Sequence, residues 1–298
     1  MATDPTTTEI AAALVTIGYL DAKDAANAAK LARAVTRFQR HAGRKYRLPQ
    51  PDAGAGDLFK GQVNGTCNQD TLVEVRKWLA QKWRVPIGRL RIRPVNVATN
   101  PVSLREDAAA AWEQIVRLAD SKGATLHGVY GDSARPVRPT AKVGASHFSF
   151  HYCARAVDIS QDFTKSNDHR YFVAQDPQGA TQYWRIYCNA DKQDGSQGSL
   201  IRKNTVKWYS FSEKTEHYLP EGQYVDLTAL IESTGSFERI KAQSGWQSAY
   251  NKAEWWHFQY KLDKQPTFLD EMELIGYSEA KLRSCGWTTD KMLDHAPG

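Results

Sequence analysis

The sequence predicts an α+β protein: a small bundle of three helices at the N-terminus, then a larger domain mixing one long helix with short strands. Three observations predict this. Between residues 8 and 80, apolar residues recur at helical spacing in three separate stretches. Pro86, Pro94 and Pro101, set among arginines and apolar residues, then mark a linker over 86–102. Beyond Ser103 one more helical pattern gives way to short runs of alternating character, among them Ala156–Ile159 and Trp255–Tyr260. The expected domains are therefore 1–85 and 103–298.

In the first helix Thr8 is the expected cap, Ile10, Leu14 and Ile17 the inner face, and Gly18 the stop. The second, about Ala25 to His41, aligns Leu31, Val35 and Phe38 and ends at Gly43. After a loop rich in Pro and Gly, Asn68 caps a third helix with Leu72, Val75 and Leu79 inside. In the larger domain, Ser103 and Glu106 form an expected capping box for a helix buried through Trp112, Ile115, Val116 and Ala119, closed by Gly123. Thr125–Tyr130 reads as a strand, followed by an irregular loop with Arg135 and Arg138. The long stretch from 161 to 250 has strand-like pieces at Tyr171–Ala174, Tyr183–Cys188 and Val206–Phe211, and is read as an insertion walling a cleft. Asp226 to Thr234 looks helical, as does Pro266 to Ile275, and His295 reads as a solvated residue.

With 298 residues, 41% hydrophobic and 24% charged, the composition is that of an ordinary globular chain with room for two cores. No apolar run approaches the roughly 20 residues needed to span a bilayer, so membrane insertion is not expected. The N-terminus lacks the basic and apolar regions of a signal peptide. The net charge of +6 is uneven: residues 1–95 hold 16 Lys and Arg against 8 Asp and Glu. A basic front half suits an anionic polymer, which can be nucleic acid or a cell envelope; nothing in it marks a DNA-recognition helix. Cys67, Cys153, Cys188 and Cys285 contain no C-x-x-C pair and read as free thiols, a Cys153–Cys188 bridge being the alternative.

The chemistry is concentrated in two stretches, Ser149 to Asp158 and Glu254 to His257. Together they offer two imidazoles and two carboxylates. A catalytic zinc site needs three N or O ligands, an open position for water and a base for that water's proton. Strand alternation sets Ala156, Asp158 and Ser160 on one face and Val157 and Ile159 on the other. Likewise Trp255, His257 and Gln259 share a face, opposite Trp256, Phe258 and Tyr260. Glu254 lies an odd number of residues from His257, so it works beside His257 only from before the strand or on a bulge. His147 and His151 would share a face if they lay on a strand, but only His151 has the spacing to Asp158; His147 is left as a substrate-facing candidate.

The pattern S-x-H-x6-D followed by E-x-x-H is similar to that of the zinc D-alanyl-D-alanine peptidases, carboxypeptidases and dipeptidases that cut bacterial cell-wall peptides. The resemblance implies an α+β domain with an antiparallel sheet, one Zn2+ held by His151, Asp158 and His257, Glu254 as catalytic base, and Ser149 in substrate binding. It also implies an arginine near the scissile bond, for which Arg135 and Arg138 are the candidates. The family usually has Gly at the position of Ala154. Gly235 to Ile240 resembles the turn before the family's last active-site strand. In the first domain, Ile17 to Leu20, Ala34 to Gln39, Val63 to Gly65 and Asp70 to Leu72 resemble the three-helix peptidoglycan-binding domain of wall hydrolases. The expected departure is a long insertion at about Lys45 to Gly61, with Cys67 in the turn before the third helix.

The resemblances imply a zinc peptidase for peptidoglycan stem peptides: a D-Ala-D-Ala carboxypeptidase, an L-Ala-D-Glu endopeptidase or a cross-link endopeptidase. A phage endolysin or bacterial autolysin fits this, a monomer acting at the cell wall without nucleic acid, reached by holin-type release or by a non-classical route. The rival from another class is a wall-binding protein with a vestigial peptidase domain, and a Cys153/His257 thiol peptidase is a further one. There is no His-Glu-x-x-His, Gly-x-Ser-x-Gly or phosphate-cradling loop.

Overall fold

The computed structural model describes residues 4–43, 58–95, 102–126, 132–138, 148–164 and 170–297. It is mixed α+β, with two compact units, Met1–Arg89 and Leu90–Gly298. His147, the His127–Tyr130 part of the expected strand and most of the Lys45–Gly61 insertion lie outside the described residues.

The first unit contains α1 (Pro5–Ile17), α2 (Ala28–Ala42) and α3 (Gln69–Ala80). The cap of α1 is Asp4 rather than Thr8. An Asp followed by Pro at the first helical position is the stronger start, and the Asp4 carboxylate accepts from Thr7 N–H at 3.2 Å. Asn27 and Asn68 cap α2 and α3. The core joins Ile10, Leu14 and Ile17 to Leu31, Val35 and Phe38, and to Leu72, Val75 and Trp78. Trp78, not Leu79, goes deepest on α3, because its indole N–H has a partner in the Glu74 carboxylate at 3.0 Å.

Gln39 ties the loop before α3 to α2. Fully buried, it accepts from Asn64 and Gly65 N–H, each at 3.0 Å, and donates to Thr66 O at 3.3 Å and Thr71 Oγ1 at 2.8 Å. Gly65 has φ +73°, and a Cβ there would lie 2.9 Å from Ala32 O. The loop before α3 is thus threaded onto α2 through one side chain. Gln39→Leu strands two backbone donors, so it should destabilise the N-terminal unit by about 2–4 kcal/mol. Chemical denaturation of the full chain, followed in the transition of this unit, checks it.

In the second unit the expected linker is partly sheet. Residues β1 (Ile92–Pro94) pair antiparallel with β2 (Ser103–Arg105). The expected capping box does not form, because Ser103 is in β2 and α4 (Glu106–Ser121) starts from Arg105 without a side-chain cap. Trp112 of α4 packs edge-on against Phe237 and lies beside Phe258, placing the helix behind a three-stranded antiparallel sheet. That sheet has the order β10 (Phe237–Arg239), β11 (His257–Tyr260), β3 (Ala156–Asp158).

The stretch from 161 to 250 builds a second sheet, ordered β4 (Tyr171–Gln178), β5 (Thr181–Asn189), β9 (Gly222–Asp226), β6 (Ser199–Ile201), and a hairpin of β7 (Lys207–Ser210) with β8 (Thr215–Tyr218). The three strand-like pieces read from the sequence are strands here; β6, β8 and β9 are additional. Ion pairs tie this layer to the first sheet: Asp176 accepts from Arg185 at 2.8 Å and from Arg239 of β10 at 2.7 Å. Asp226 caps α5 (Leu227–Ser233) through Ala229 N–H. The C-terminal stretch holds three short helices where one is expected, α6 (Phe268–Leu274), α7 (Glu279–Ser284) and α8 (Asp290–Leu293). Two are too short to show helical periodicity in the sequence.

All four cysteines are free, and Cys153, Cys188 and Cys285 are buried, so no Cys153–Cys188 bridge braces the sheet. His295 is exposed but not merely solvated, since its ring stacks on Phe148 at 4.2 Å.

Candidate metal centre

His151 lies on a helical turn, not on a strand. Tyr152 N–H bonds Ser149 O, and Ser149 Oγ accepts from His151 N–H at 3.3 Å, so Ser149 opens the turn. The turn closes with Arg155 N–H on Phe150 O at 2.9 Å and Ala154 N–H on His151 O at 3.1 Å. This is a Schellman closure, whose penultimate residue is left-handed, and Ala154 has φ +53°. A position of that kind favours glycine, which accounts for the Gly expected there. Alanine takes the same conformation and leaves His151 in place.

The chain then runs straight into β3, which ends at Asp158, directly opposite His257 at the start of β11. Ile159 N–H bonds Trp256 O at 2.9 Å, flanking the pair, so Asp158 and His257 form the narrow type of antiparallel pair in which side chains approach most closely. Val157, Ile159 and Phe258 turn into the core with Trp112, as alternation requires.

Three donor atoms converge. His257 Nδ1 lies 3.0 Å from Asp158 Oδ1, His151 Nε2 lies 3.1 Å from His257 Nδ1, and His151 Nε2 lies 3.2 Å from Asp158 Oδ1. All three residues are buried. Ligands about 2.0–2.1 Å from a tetrahedral ion stand about 3.3 Å from one another, so this triangle has the size of one tetrahedral face. His151 Nδ1 donates to Ser133 O at 2.8 Å, which fixes the ring so that Nε2 is the nitrogen turned to Asp158 and His257. Burial by itself would raise the Asp158 carboxyl, but hydrogen bonds and charge from the two imidazoles overcome it and hold it at about 2. A carboxylate kept ionised between two imidazoles is a donor set that can hold a metal ion.

Glu254 stands outside the triangle. It precedes β11, at φ +49°, and the bond from His257 N–H to its carbonyl at 3.1 Å makes the turn that leads into the strand. Its parity problem is solved by that position. Desolvation raises its carboxyl above the usual range, partly offset by the field of His257 and by a hydrogen bond from Gln243, while Asp158 adds to the rise. It therefore shares the electrostatic environment of the triangle without being part of it.

The two arginines differ. Arg135 is half-buried, its N–H donates to His151 O at 3.0 Å, and its guanidinium Nε is bound by Asp132. Arg138 is exposed, beyond the buried Val137. The residues that sequence reasoning missed are Asp132, Ser133 and Gln243. Ser133 acts through a backbone carbonyl, which any residue type supplies, so nothing in the sequence could flag it. No protein-family model, curated protein or solved structure matches the chain.

Proposed function

We propose that the chain is a zinc-dependent peptidase acting on the stem peptides of bacterial peptidoglycan. The observation that carries this reading is the buried triangle of His151 Nε2, Asp158 Oδ1 and His257 Nδ1, with Glu254 beside it and outside it. Two imidazoles, one carboxylate and a separate carboxylate base are the donor set of a hydrolytic zinc site. Bound there, zinc would acidify a water and polarise a peptide carbonyl.

The chain's own residues do the rest. Ser133 O fixes the tautomer and ring of His151, and the β3–β11 register fixes Asp158 against His257. Glu254, its carboxyl raised by desolvation, takes a proton from the attacking water and returns it to the departing amine. Arg135 is favoured over Arg138 as the cation near the scissile carbonyl, since its backbone is bonded to the His151 turn and Arg138 is exposed. Ser149, which caps that turn, is close enough in sequence to His151 to meet substrate as well. The resemblance of the N-terminal unit to wall-binding domains supports peptidoglycan as the polymer, with the unit raising the local concentration of stem peptides. A D-Ala-D-Ala carboxypeptidase, an L-Ala-D-Glu endopeptidase and a cross-link endopeptidase all fit this centre, in an endolysin or autolysin.

Mass spectrometry of fragments released from purified peptidoglycan, with zinc content measured on the same protein, tests the reading. One defined peptide cleavage, lost on chelation and restored by zinc, is expected. Zinc binding without cleavage would sink the peptidase and leave a wall-binding protein with a vestigial site.

A further inference from the structure

Asp132 makes more connections around the metal centre than its position in an irregular loop suggests. Its backbone carbonyl accepts from Asp158 N–H at 2.8 Å. Its Oδ1 accepts from Ser133 N–H at 2.8 Å, and its Oδ2 binds Arg135 Nε. Around it, Ser133 O receives His151 Nδ1–H at 2.8 Å, Ser133 Oγ accepts from Ser103 N–H at 3.2 Å, Ala134 N–H donates to Ser103 O at 3.0 Å, and Arg135 N–H donates to His151 O at 3.0 Å. Four successive residues thus brace both imidazole- and carboxylate-bearing segments, and the Asp132 side chain joins the two halves of the brace.

We propose that Asp132 is a positioning residue that sets two geometries at once: the aim of the Ser133 carbonyl at His151, and the direction of the Arg135 guanidinium. The inference rests on the peptidase reading given above. Free arginine side chains carry about 2 kcal/mol of rotamer entropy. Binding Nε to a carboxylate removes that freedom before substrate arrives and leaves both terminal nitrogens to face a substrate oxygen as a fork. The Oδ1 bond acts on the other side. It holds the N–H of the residue whose carbonyl faces His151, and partners of a ligating histidine are worth about 10–100-fold in metal affinity.

The two functions separate by substitution. Asp132→Asn keeps an oxygen for Ser133 N–H but loses the carboxylate for Arg135; Asp132→Ala loses both. Zinc affinity is measured by competition with a chromophoric chelator, and kcat and KM on stem peptide are measured separately. For Asp132→Asn the expected zinc affinity is within about threefold of wild type, and kcat/KM is about tenfold lower, the worth of one charge-assisted hydrogen bond. For Asp132→Ala zinc affinity falls a further 10–100-fold, approximately. On an Arg135→Ala background, Asp132→Asn should change kcat/KM by less than about twofold, because the group it directs is gone. The same loss with and without Arg135, or wild-type zinc affinity in Asp132→Ala, overturns the proposal while a cleaving, zinc-containing wild type leaves the peptidase reading standing. A wild type that binds no zinc overturns both.

Discussion

On the peptidase reading proposed above, Glu254→Gln is expected to lower kcat on stem peptides by about 10²–10⁴-fold, the usual contribution of a general base, without loss of zinc binding. The argument is one of placement. Glu254 is the residue before the turn into β11, held at φ +49°, and its carboxyl is not one of the three converging donors. It nonetheless feels the charges of His257, Asp158 and His151, so it lies within their field. Glutamine preserves size and a partner for Gln243, and removes only the ability to accept and return a proton. Because substrate is held by other groups, KM should change little, and kcat and kcat/KM should fall together. Steady-state kinetics with metal analysis of the same preparation checks this. Loss of zinc with the substitution would make Glu254 a ligand, and near-normal turnover would move the base elsewhere.

The parts of this centre that were legible in the sequence are those that follow from strand geometry. Asp158 and His257 had to turn away from Val157, Ile159 and Phe258, and the register brings them face to face. Parity required Glu254 to lie before the strand or on a bulge, and it lies before it. His151 was legible in its spacing but not in its conformation. A strand and a Schellman turn both deliver an imidazole seven residues before an aspartate, and the left-handed backbone of Ala154 with the bonds that close the turn distinguishes them. The loop was read as irregular and Arg135 as a candidate, but its bracing from Asp132 to Arg135 was not legible, because most of those bonds are made by backbone atoms to partners distant in sequence, such as His151 and Ser103. In the first unit the helices were readable from their apolar spacing, whereas Trp78 takes the inner position expected of Leu79, helped by a hydrogen bond to Glu74 that hydrophobicity does not encode.

Glu271→Leu should destabilise the second unit by about 3–5 kcal/mol, since it breaks a buried ion cluster by removing the anion that Arg105 and Arg155 share. Glu271 Oε2 accepts from Arg105 Nη1 at 2.6 Å and Oε1 binds Arg155 Nη1, and all three side chains are fully buried. Gln265 N–H adds a further bond to Oε1 at 2.6 Å. Arg105 retains Asp107 when the carboxylate goes, but Arg155 is left with no anion, only the backbone carbonyls of Tyr260, Leu262 and Asp263 and the rings of Phe150 and Tyr260. Arg155 sits between the His151 turn and β3, and it grips β11 at Tyr260 O, so it links the segments that carry all three converging donors. Loosening it should therefore cost metal affinity as well as stability, although Glu271 is nowhere in the triangle. Glu271→Gln, which keeps one acceptor oxygen and the shape, should cost less than Glu271→Leu in both respects. Urea denaturation of the metal-free proteins, paired with zinc competition, separates the two effects. A cost under about 1 kcal/mol for Glu271→Leu would mean that water reaches the guanidinium groups, since only a sealed cluster leaves an unpaired cation so expensive.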